Sequence, residues 1–319
     1  MGRGADQMVT LAFMFPGQGS QAVGMMQSFA DAKLVRDTFA EASDVLNQDL
    51  WQLVSEGSIE DLNLTVNTQP VMLTAGYALY RYWLAAGGAQ PTMVAGHSLG
   101  EYTALVAAGV MSFHDALPLV RFRARAMQEA VPLGTGAMAA ILGMADDVVR
   151  AACSEAAQGE VVEAVNFNAP SQVVIAGHKS AVERGAEAAK ARGARRAVML
   201  PVSAPFHSSL LKPAAQRLKE YLGSIPFNMP RIPVVNNVDV KSVNEPQQIK
   251  DALARQACNP VRWVEVVQYM ARSGITHVVE CGPGKVLDAF IRRIDPALRK
   301  FTLADAALVD QTLENLKAA

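Results

Sequence analysis

The sequence is poor in the residues that mark disulfide-linked, zinc-binding and membrane proteins. It contains three cysteines in 319 residues. Because Cys153, Cys258 and Cys281 form no CxxC pair, neither a disulfide framework nor a zinc site is expected. No apolar run approaches the roughly 20 residues that a membrane helix needs, and residues 1–7 are polar without a signal-peptide pattern. We therefore expect a cytoplasmic chain with no membrane partner, and we assign no function to residues 1–7.

Charge of either sign is not in excess. The chain has 29 basic and 30 acidic residues, which gives a net charge of −1. Nucleic-acid-binding domains usually carry a marked basic excess, so no nucleic-acid partner is expected. The glycine-rich loop at 16–20 is not followed by Gly-Lys-Ser/Thr, and it is not the GxGxxG of dinucleotide-binding folds. The sequence therefore predicts no metal and no cofactor.

Half of the residues are apolar, and they are arranged in alternating short strands and amphipathic helices. Apolar strands are predicted at 9–15 and 91–95, and the second leads into a glycine-flanked turn at 96–100 and then a helix. A strand, a sharp turn and a helix in this order form the central unit of an α/β fold. A longer helix is predicted over 115–130, where Pro118 should kink the first turn or move the start of the helix.

The middle of the chain has a different order of elements. A strand, a helix, two strands, a helix and a strand are predicted in turn, at 137–142, 146–157, 161–168, 172–177, 179–192 and 196–202. This is the split β-α-β-β-α-β order of ferredoxin-like domains. We therefore predict a small ferredoxin-like lobe at 132–204, inserted into a large α/β lobe made of residues 8–131 and 205–319.

The turn at 96–100 fits the pattern GxSxG, with Ser98 at its centre. Such a turn exposes the serine hydroxyl between a strand and a helix, and its glycines let neighbouring backbone pass closely. The N–H of Leu99, at the start of the helix, can bind an oxyanion. Ser98 is therefore a candidate nucleophile. The alternative is that Ser98 only caps the helix.

A serine nucleophile needs a base, and the chain has five histidines. His207 lies in a loop between a predicted strand and a predicted helix, where catalytic groups are common. His97 adjoins Ser98 in sequence and would point away from it. His114 and His178 lie in regions expected to be solvated, and His277 enters an apolar strand. His207 is therefore favoured as the base.

Arg123 interrupts the apolar stripe of the helix predicted over 115–130. Leu119, Arg123 and Met127 share one face, because residues four apart align along a helix. A buried guanidinium must be paired, and a planar carboxylate is its best partner. Arg123 therefore indicates a site for a carboxylate ligand. The alternatives are an internal salt bridge and a side chain that reaches solvent.

Several motifs together are similar to one family. In chain order they are Phe15-Pro16-Gly17-Gln18-Gly19-Ser20-Gln21, Gly96-His97-Ser98-Leu99-Gly100-Glu101, Arg123 with Met127-Gln128, Gly134-Thr135-Gly136-Ala137-Met138, Asn166-Phe167-Asn168, Val173-x-Ile175-Ala176-Gly177, Pro205-Phe206-His207-Ser208 and Glu280-x-Gly282-Pro283-Gly284. The set spans about residues 9–295 and resembles the bacterial malonyl-CoA:acyl carrier protein transacylases. The fold that this resemblance implies is an α/β-hydrolase-like large lobe with an inserted ferredoxin-like small lobe.

The resemblance also implies a role for each candidate residue. Ser98 would be the acylated nucleophile, and His207 would act first as general base and then as general acid. The main-chain carbonyl of Gln256, rather than a carboxylate, would orient His207. The backbone N–H groups of Gln18 and Leu99 would form the oxyanion hole. The remaining implied residues are Arg123, which would grip the malonyl carboxylate, and the pocket residues Met127, Asn168 and Phe206, of which Phe206 would disfavour a methyl branch.

The implied activity is an acyl transfer. The malonyl group of malonyl-CoA would pass to the phosphopantetheine thiol of acyl carrier protein through a malonyl-serine intermediate, by a ping-pong mechanism that supplies fatty acid biosynthesis. The implied partners are acyl carrier protein, malonyl-CoA and CoA, and the chain would be a monomer. An acidic carrier should meet a basic surface. The candidates are Lys190, Arg192, Arg195 and Arg196, and a second group of Lys285, Arg292 and Arg293.

Three alternatives stay open. An α/β-hydrolase thioesterase shares the turn at Ser98, but it needs an acid between the serine and the histidine and no buried arginine. Asp146 and Asp147 lie in the small lobe, where exposure is expected, which counts against this alternative. A non-catalytic carrier-binding relative is disfavoured by the intact Ser98, His207 and Arg123. A standalone polyketide-pathway acyltransferase would carry out the same chemistry in another pathway.

Overall fold

A computed structural model describes residues 9–202 and 204–317 of the chain. Within these ranges the chain alternates between helices and strands and forms two separate β-sheets. The helices are α1 Lys33–Leu46, α2 Leu50–Glu56, α3 Ile59–Asn63, α4 Thr65–Ala85, α5 Leu99–Ala107, α6 Phe113–Glu129, α7 Asp146–Ala157, α8 Lys179–Ala191, α9 Lys212–Gly223, α10 Pro246–Gln256, α11 Trp263–Arg272, α12 Val286–Ile294 and α13 Ala306–Lys317. Short 3₁₀ turns lie at Gln27–Phe29 and Ser209–Leu211.

The larger sheet is parallel and has five strands among the described residues. They are β1 Leu11–Phe15, β2 Met93–Gly96, β7 Val234–Val235, β8 His277–Glu280 and β9 Arg299–Thr302. Their order across the sheet is β7-β2-β1-β8-β9. The carboxyl end of a central strand is where an α/β fold places its ligands, and β2 ends there at Gly96, two residues before Ser98.

The smaller sheet is antiparallel throughout. Its strands are β3 Gly136–Leu142, β4 Val162–Ala169, β5 Gln172–His178 and β6 Arg196–Met199. They are arranged in the order β4-β5-β3-β6, and α7 and α8 pack on one face. This arrangement confirms the predicted ferredoxin-like order, and with the parallel sheet it confirms the predicted α/β fold class.

Strand β1 lies at the centre of the larger sheet and is buried on both faces. Alternate side chains of a strand point to opposite faces. Leu11, Phe13 and Phe15 accordingly pack into one apolar cluster, while Ala12 and Met14 pack into a second cluster on the other face. A strand buried on both faces needs a continuous apolar run, which is why no polar residue interrupts this segment.

The small sheet is joined to the larger lobe beside the site. The N–H of Phe167 in β4 donates to the carbonyl of Val261 over 3.0 Å, and the N–H of Val261 donates to the carbonyl of Val165 over 2.8 Å. These two bonds continue the backbone pairing of β4 into the loop before α11. They fix the end of β4 next to the turn that carries Ser98.

Some elements differ from the sequence predictions. Helix α6 begins at Phe113 rather than at 115, capped by the Ser112 hydroxyl, and runs through Pro118 to Glu129. A kink at Pro118 stays a prediction. Helices α2 and α3, strand β9 and helix α13 were not predicted. No described helix is long and apolar enough to cross a membrane. The lobe boundaries stay a prediction, and their outer ends, 8 and 319, lie outside the described residues.

Candidate active site

Ser98 occupies a strained turn between β2 and α5. Its φ and ψ are 51° and −109°, a backbone conformation that residues other than glycine rarely adopt. Its side chain makes no capping hydrogen bond to the helix, so the alternative that Ser98 serves only as a cap is not supported. Gly96 and Gly100 have no room for a side chain, since a Cβ would lie 1.9 Å from the Gly100 carbonyl carbon and 2.0 Å from the Phe15 carbonyl oxygen, respectively. Crossing backbone segments therefore hold the turn in place.

The predicted nucleophile and base are in contact. The Oγ of Ser98 lies 2.7 Å from Nε2 of His207, and Nδ1 of His207 lies 2.8 Å from the carbonyl oxygen of Gln256. A carbonyl can only accept a hydrogen bond, so Nδ1 carries the proton. Nε2 therefore presents a lone pair to Ser98, as a general base must.

The surroundings of His207 keep it neutral. The side chain is buried, and burial, followed by the positive charge of Arg123, lowers the pKa of His207 to about 3. Its backbone has a φ of 67°, which is unfavourable for a residue other than glycine. As at Ser98, the surrounding structure must hold the backbone in this conformation.

Arg123 lies beside this pair. From α6 its Nη2 donates to Ser98 Oγ over 3.1 Å and to Gln256 Oε1 over 2.9 Å. Its Nη1 donates to Gln69 Oε1 over 2.8 Å, and its guanidinium carbon lies 5.2 Å from the ring centre of Tyr102. The guanidinium is thus held by neutral groups next to the nucleophile.

No carboxylate of the described residues lies within salt-bridge distance of Arg123. The residue is 2 % exposed, and burial lowers the pKa of its guanidinium from the ordinary value. The hydrogen bonds to Gln69, Ser98 and Gln256 do not use all the N–H donors of a guanidinium. The alternatives of an internal salt bridge and of a side chain that reaches solvent are therefore wrong, and the guanidinium is left with bonding capacity for an anion.

The two residues predicted for the oxyanion hole, Gln18 and Leu99, border the same space. Leu99 is the first residue of α5, so its N–H has no acceptor within the helix. The loop that carries Gln18 runs close by, since a Cβ at Gly17 would lie 2.5 Å from the His97 carbonyl oxygen and 3.6 Å from the Leu99 nitrogen. The side chain of Gln18 is fixed by the Thr65 hydroxyl, which donates to Oε1 over 2.7 Å. Both residues predicted for the oxyanion hole thus border the reacting hydroxyl.

A cavity of about 410 Å³ opens onto these groups. Both lobes contribute to its walls. Its lining includes Gln18, Ser98, Leu99, Arg123, Met127, Met138, Asn166, Leu200, Phe206 and His207. The predicted pocket residues Met127 and Phe206 are among them.

Asn168 differs from the prediction that it lines the pocket. It is absent from the cavity wall, where Asn166 stands instead. Its Oδ1 lies 2.7 Å from Nε2 of His97, whose ring also packs 5.5 Å from the ring of Trp263. In a regular strand Asn166 and Asn168 would lie on the same face. The pairing of β4 is irregular, however, because its register shifts between Ala164 and Asn166 and again between Phe167 and Ala169. Asn168 therefore supports the turn through His97.

Three further polar residues complete the site and were not predicted. Gln69, from α4, binds Arg123. Asn237 accepts the Ser98 N–H over 2.8 Å and donates to the Gly96 carbonyl over 2.8 Å. Glu101 is buried, and burial raises its pKa to about 7. The one sequence signal for Gln69 is an amide within the apolar surface of a buried helix.

A metal site was not predicted. Among the residues that the structure describes, no group of three or more His, Cys, Asp or Glu side chains could hold a metal ion. All three cysteines are free thiols, and only Cys258 is partly exposed.

The strained serine turn, the serine–histidine pair and the adjoining cavity define an acyl-transfer site, and comparison with known families agrees. The model of the acyl transferase domain matches residues 12–314. The chain belongs to this acyl transferase family.

Its relatives narrow the assignment within the family. The chain is 55% identical to the malonyl CoA-acyl carrier protein transacylase of Escherichia coli K12, over 96% of this chain and all of the relative. It is 63% identical to the acyl-carrier-protein S-malonyltransferase of Burkholderia pseudomallei 1710b, with a TM-score of 0.95 over 96% of this chain and all of that structure. A malonyl-transacylase seen in complex with a type II PKS acyl-carrier protein is 51% identical, with a TM-score of 0.95 over 96% of this chain and 99% of that one. Within the family, the chain groups with the malonyl CoA-acyl carrier protein transacylases.

Proposed function

We propose that this chain transfers the malonyl group of malonyl-CoA to the phosphopantetheine thiol of acyl carrier protein, through a malonyl-Ser98 intermediate, for fatty acid biosynthesis. The observation that carries the proposal is the position of Arg123. The guanidinium is buried, has no carboxylate partner within residues 9–202 and 204–317, and places Nη2 3.1 Å from the nucleophilic oxygen. A site of this kind favours a short acyl group that carries its own carboxylate.

In the first half-reaction, Nε2 of His207 takes the proton of the Ser98 hydroxyl while Oγ attacks the thioester carbonyl. The tetrahedral oxyanion accepts hydrogen bonds from the N–H groups of Gln18 and Leu99. When the C–S bond breaks, the proton on Nε2 passes to the leaving sulfur. The products are CoA and malonyl-Ser98.

The second half-reaction reverses these steps with a different thiol. The phosphopantetheine thiol of the carrier gives its proton to Nε2 of His207 and attacks the ester carbonyl of malonyl-Ser98. The same two N–H groups hold the oxyanion. The C–O bond to Ser98 breaks, and the proton on Nε2 returns to Oγ, which restores the free enzyme.

The proposed role of Arg123 follows from its hydrogen bonds. Among the described residues, only neutral oxygens accept from its Nη1 and Nη2, so a malonyl carboxylate would be the strongest acceptor available to it. An acetyl group offers no such partner. Once bound, the carboxylate would also fix the acyl ester and limit the approach of water.

Selectivity and docking extend the proposal to neighbouring residues. Phe206 would narrow the cavity beside the α-carbon and disfavour a methyl branch. The carrier would dock on Lys190, Arg192, Arg195 and Arg196, which run from the end of α8 to the first residue of β6, the strand that leads to cavity residues 200–202. In the free enzyme Lys190 pairs with Glu187 over 2.8 Å and Arg192 pairs with Glu155. In the second basic group, Arg293 donates to Gln172 Oε1 and to the carbonyl of Pro170, both neutral acceptors.

Two observations bear on the alternatives. The thioesterase alternative requires a carboxylate on the histidine, whereas Nδ1 of His207 is bonded to the carbonyl of Gln256. A polyketide-pathway transfer remains the second candidate function, because one relative is a malonyl-transacylase in complex with a type II PKS acyl-carrier protein. The absence of a cofactor, the monomeric state and the cytoplasmic location stay predictions.

The test of the proposed function compares transfer with hydrolysis. With malonyl-CoA and a holo-form acyl carrier protein, we expect malonyl-carrier to form faster than free malonate, because the bound carboxylate fixes the acyl ester and limits the approach of water. Mass spectrometry of the carrier and chromatography of malonate measure the two products. Malonate that accumulates faster than malonyl-carrier would favour the thioesterase. Parallel assays with fatty acid and polyketide carriers compare the two pathways.

Acylation should keep its rate at pH values where an ordinary histidine is protonated. Burial and the charge of Arg123 lower the pKa of His207 to about 3, so Nε2 stays a free base well below the usual value of about 6.5. We expect kcat/KM for acylation by acetyl-CoA, whose acyl group does not ionise, to stay level from about pH 8 to about pH 5. The profile is repeated in Glu101→Gln, because Glu101 has a pKa of about 7. A loss of rate near pH 6.5 in both proteins would contradict the assignment of His207.

A further inference from the structure

Behind the nucleophile, a buried acid lies one amide away from the acyl-selecting arginine. Gln256 Oε1 accepts from Arg123 Nη2 over 2.9 Å, and Gln256 Nε2 donates to Glu101 Oε2 over 2.9 Å. All three side chains are buried, at 2 %, 0 % and 2 % exposure for Arg123, Gln256 and Glu101. We call these three side chains the Arg–Gln–Glu relay.

The relay fixes the orientation of the side-chain amide of Gln256. Its NH₂ group faces three acceptors: Glu101 Oε2 at 2.9 Å, the Ser98 carbonyl at 3.0 Å and Asn237 Oδ1 at 3.3 Å. Its oxygen is thereby turned to Arg123. If the amide were reversed, an NH₂ group would face the guanidinium, and both are donors. Of these three hydrogen bonds, the one to Glu101 is the shortest, and Glu101 is the only one of the three acceptors that can carry a negative charge.

Glu101 is itself held firmly. Its Oε2 also accepts the backbone N–H of Asn237 over 2.9 Å, and Asn237 in turn binds the Ser98 N–H. Burial raises the pKa of Glu101 to about 7, and the hydrogen bonds from Gln256 and Asn237 act in the opposite direction. Above that pH the carboxylate is charged, yet it does not touch Arg123.

We propose that Glu101 is a positioning residue for Arg123, which it aims at the acyl group through the side chain of Gln256. A neutral amide between the two charges lets the buried acid fix the guanidinium without occupying the face that a substrate carboxylate needs. A carboxylate in direct contact would compete with malonyl for the same donors. The inference rests on the proposed malonyl transfer, and it adds to the main-chain role of Gln256 a separate role for its side chain.

The test measures acylation rates with malonyl-CoA and acetyl-CoA separately, at about pH 8. Gln256→Met keeps the main-chain carbonyl that binds His207 but breaks the relay, and Glu101→Met breaks it at the other end. Each should lower the ratio of malonyl to acetyl acylation about tenfold or more, the size expected when a hydrogen bond to a charged group is lost. The double variant should fall no further than the more affected single variant, because both changes break one relay.

Glu101→Gln is the conservative variant, because an amide oxygen can still accept from both Gln256 and Asn237. Its ratio should stay within about threefold of the unmodified enzyme. Equal losses with both substrates, additive losses in the double variant or an unchanged ratio in the methionine variants would each overturn the proposal. If Glu101→Met does not fold, Gln256→Met with and without Glu101→Gln decides the question. If the enzyme without substitutions forms no malonyl adduct, the proposed function itself is refuted. If it forms the adduct and the methionine variants keep its malonyl-to-acetyl ratio, only the relay is refuted.

Discussion

Incubated with malonyl-CoA, the protein should gain the mass of one malonyl group, and that group should map to Ser98. Ser98→Ala should gain none. The reason is that the Oγ of Ser98 is the atom bonded to the free lone pair of His207, at 2.7 Å, and that Leu99 offers its N–H beside it. Intact-mass spectrometry followed by peptide mapping measures both the adduct and its position.

The matched control for this experiment is Ser273→Ala, which changes an exposed serine after α11 and should acylate normally. A malonyl adduct that persists in Ser98→Ala would contradict the assignment of the nucleophile. An unmodified protein that releases free CoA would indicate hydrolysis and favour the thioesterase. An unmodified protein without CoA release would favour a carrier-binding relative.

Replacing Arg123 should reverse the preference between acyl groups. In Arg123→Ala the malonyl carboxylate would be placed in a buried site with no cation. Leaving one member of a buried ion pair without its partner costs about 3 kcal/mol or more, which corresponds to about 10²-fold or more in malonyl acylation. An acetyl group carries no charge and should lose much less. The ratio of the two acylation rates measures the effect.

Arg125→Ala is the matched control for this prediction. Arg125 lies on the same helix, two residues away, and it is exposed, so its loss should leave the malonyl-to-acetyl ratio unchanged. If Arg123→Ala lowered both rates by the same factor, Arg123 would support the fold of the site rather than select the acyl group.

The sequence predicted the reacting groups because each has a local signature. Ser98 lies between two glycines after an apolar strand, and Arg123 breaks an apolar stripe. His207 was favoured by its place in a loop between a strand and a helix. The contact among the three depends on the fold, since Ser98 and His207 are 109 positions apart. The resemblance to a known family supplied the pairing that spacing alone left open.

The supporting residues had no such signature. Gln69, Asn237 and Glu101 act through partners that are 54, 139 and 155 positions away, and no local pattern reports contacts at that range. Asn166 rather than Asn168 lines the cavity because the pairing of β4 is irregular. The sequence of the strand does not show where its pairing shifts.

The two missed helices in the first part of the chain did carry local signals. Asp49 caps α2 by accepting the Gln52 N–H, and Ser58 caps α3 by accepting the Asp61 N–H. Capping residues of this kind mark helix starts. Both helices are short, however, and a short segment has too few turns to show a clear apolar period.

The hydrogen bond between His207 and the carbonyl of Gln256 makes the alignment of the base independent of which amino acid occupies position 256. In a serine triad the third member is a side chain, and a single substitution deletes it. Here the third member belongs to the backbone at position 256, and any amino acid placed there still brings a carbonyl oxygen. Substitutions at position 256 therefore report only on the Gln256 side chain, and no such scan can detect the role of its carbonyl oxygen. The alignment of the base can be lost only when the end of α10 moves, so it depends on the packing of that helix rather than on the identity of one residue.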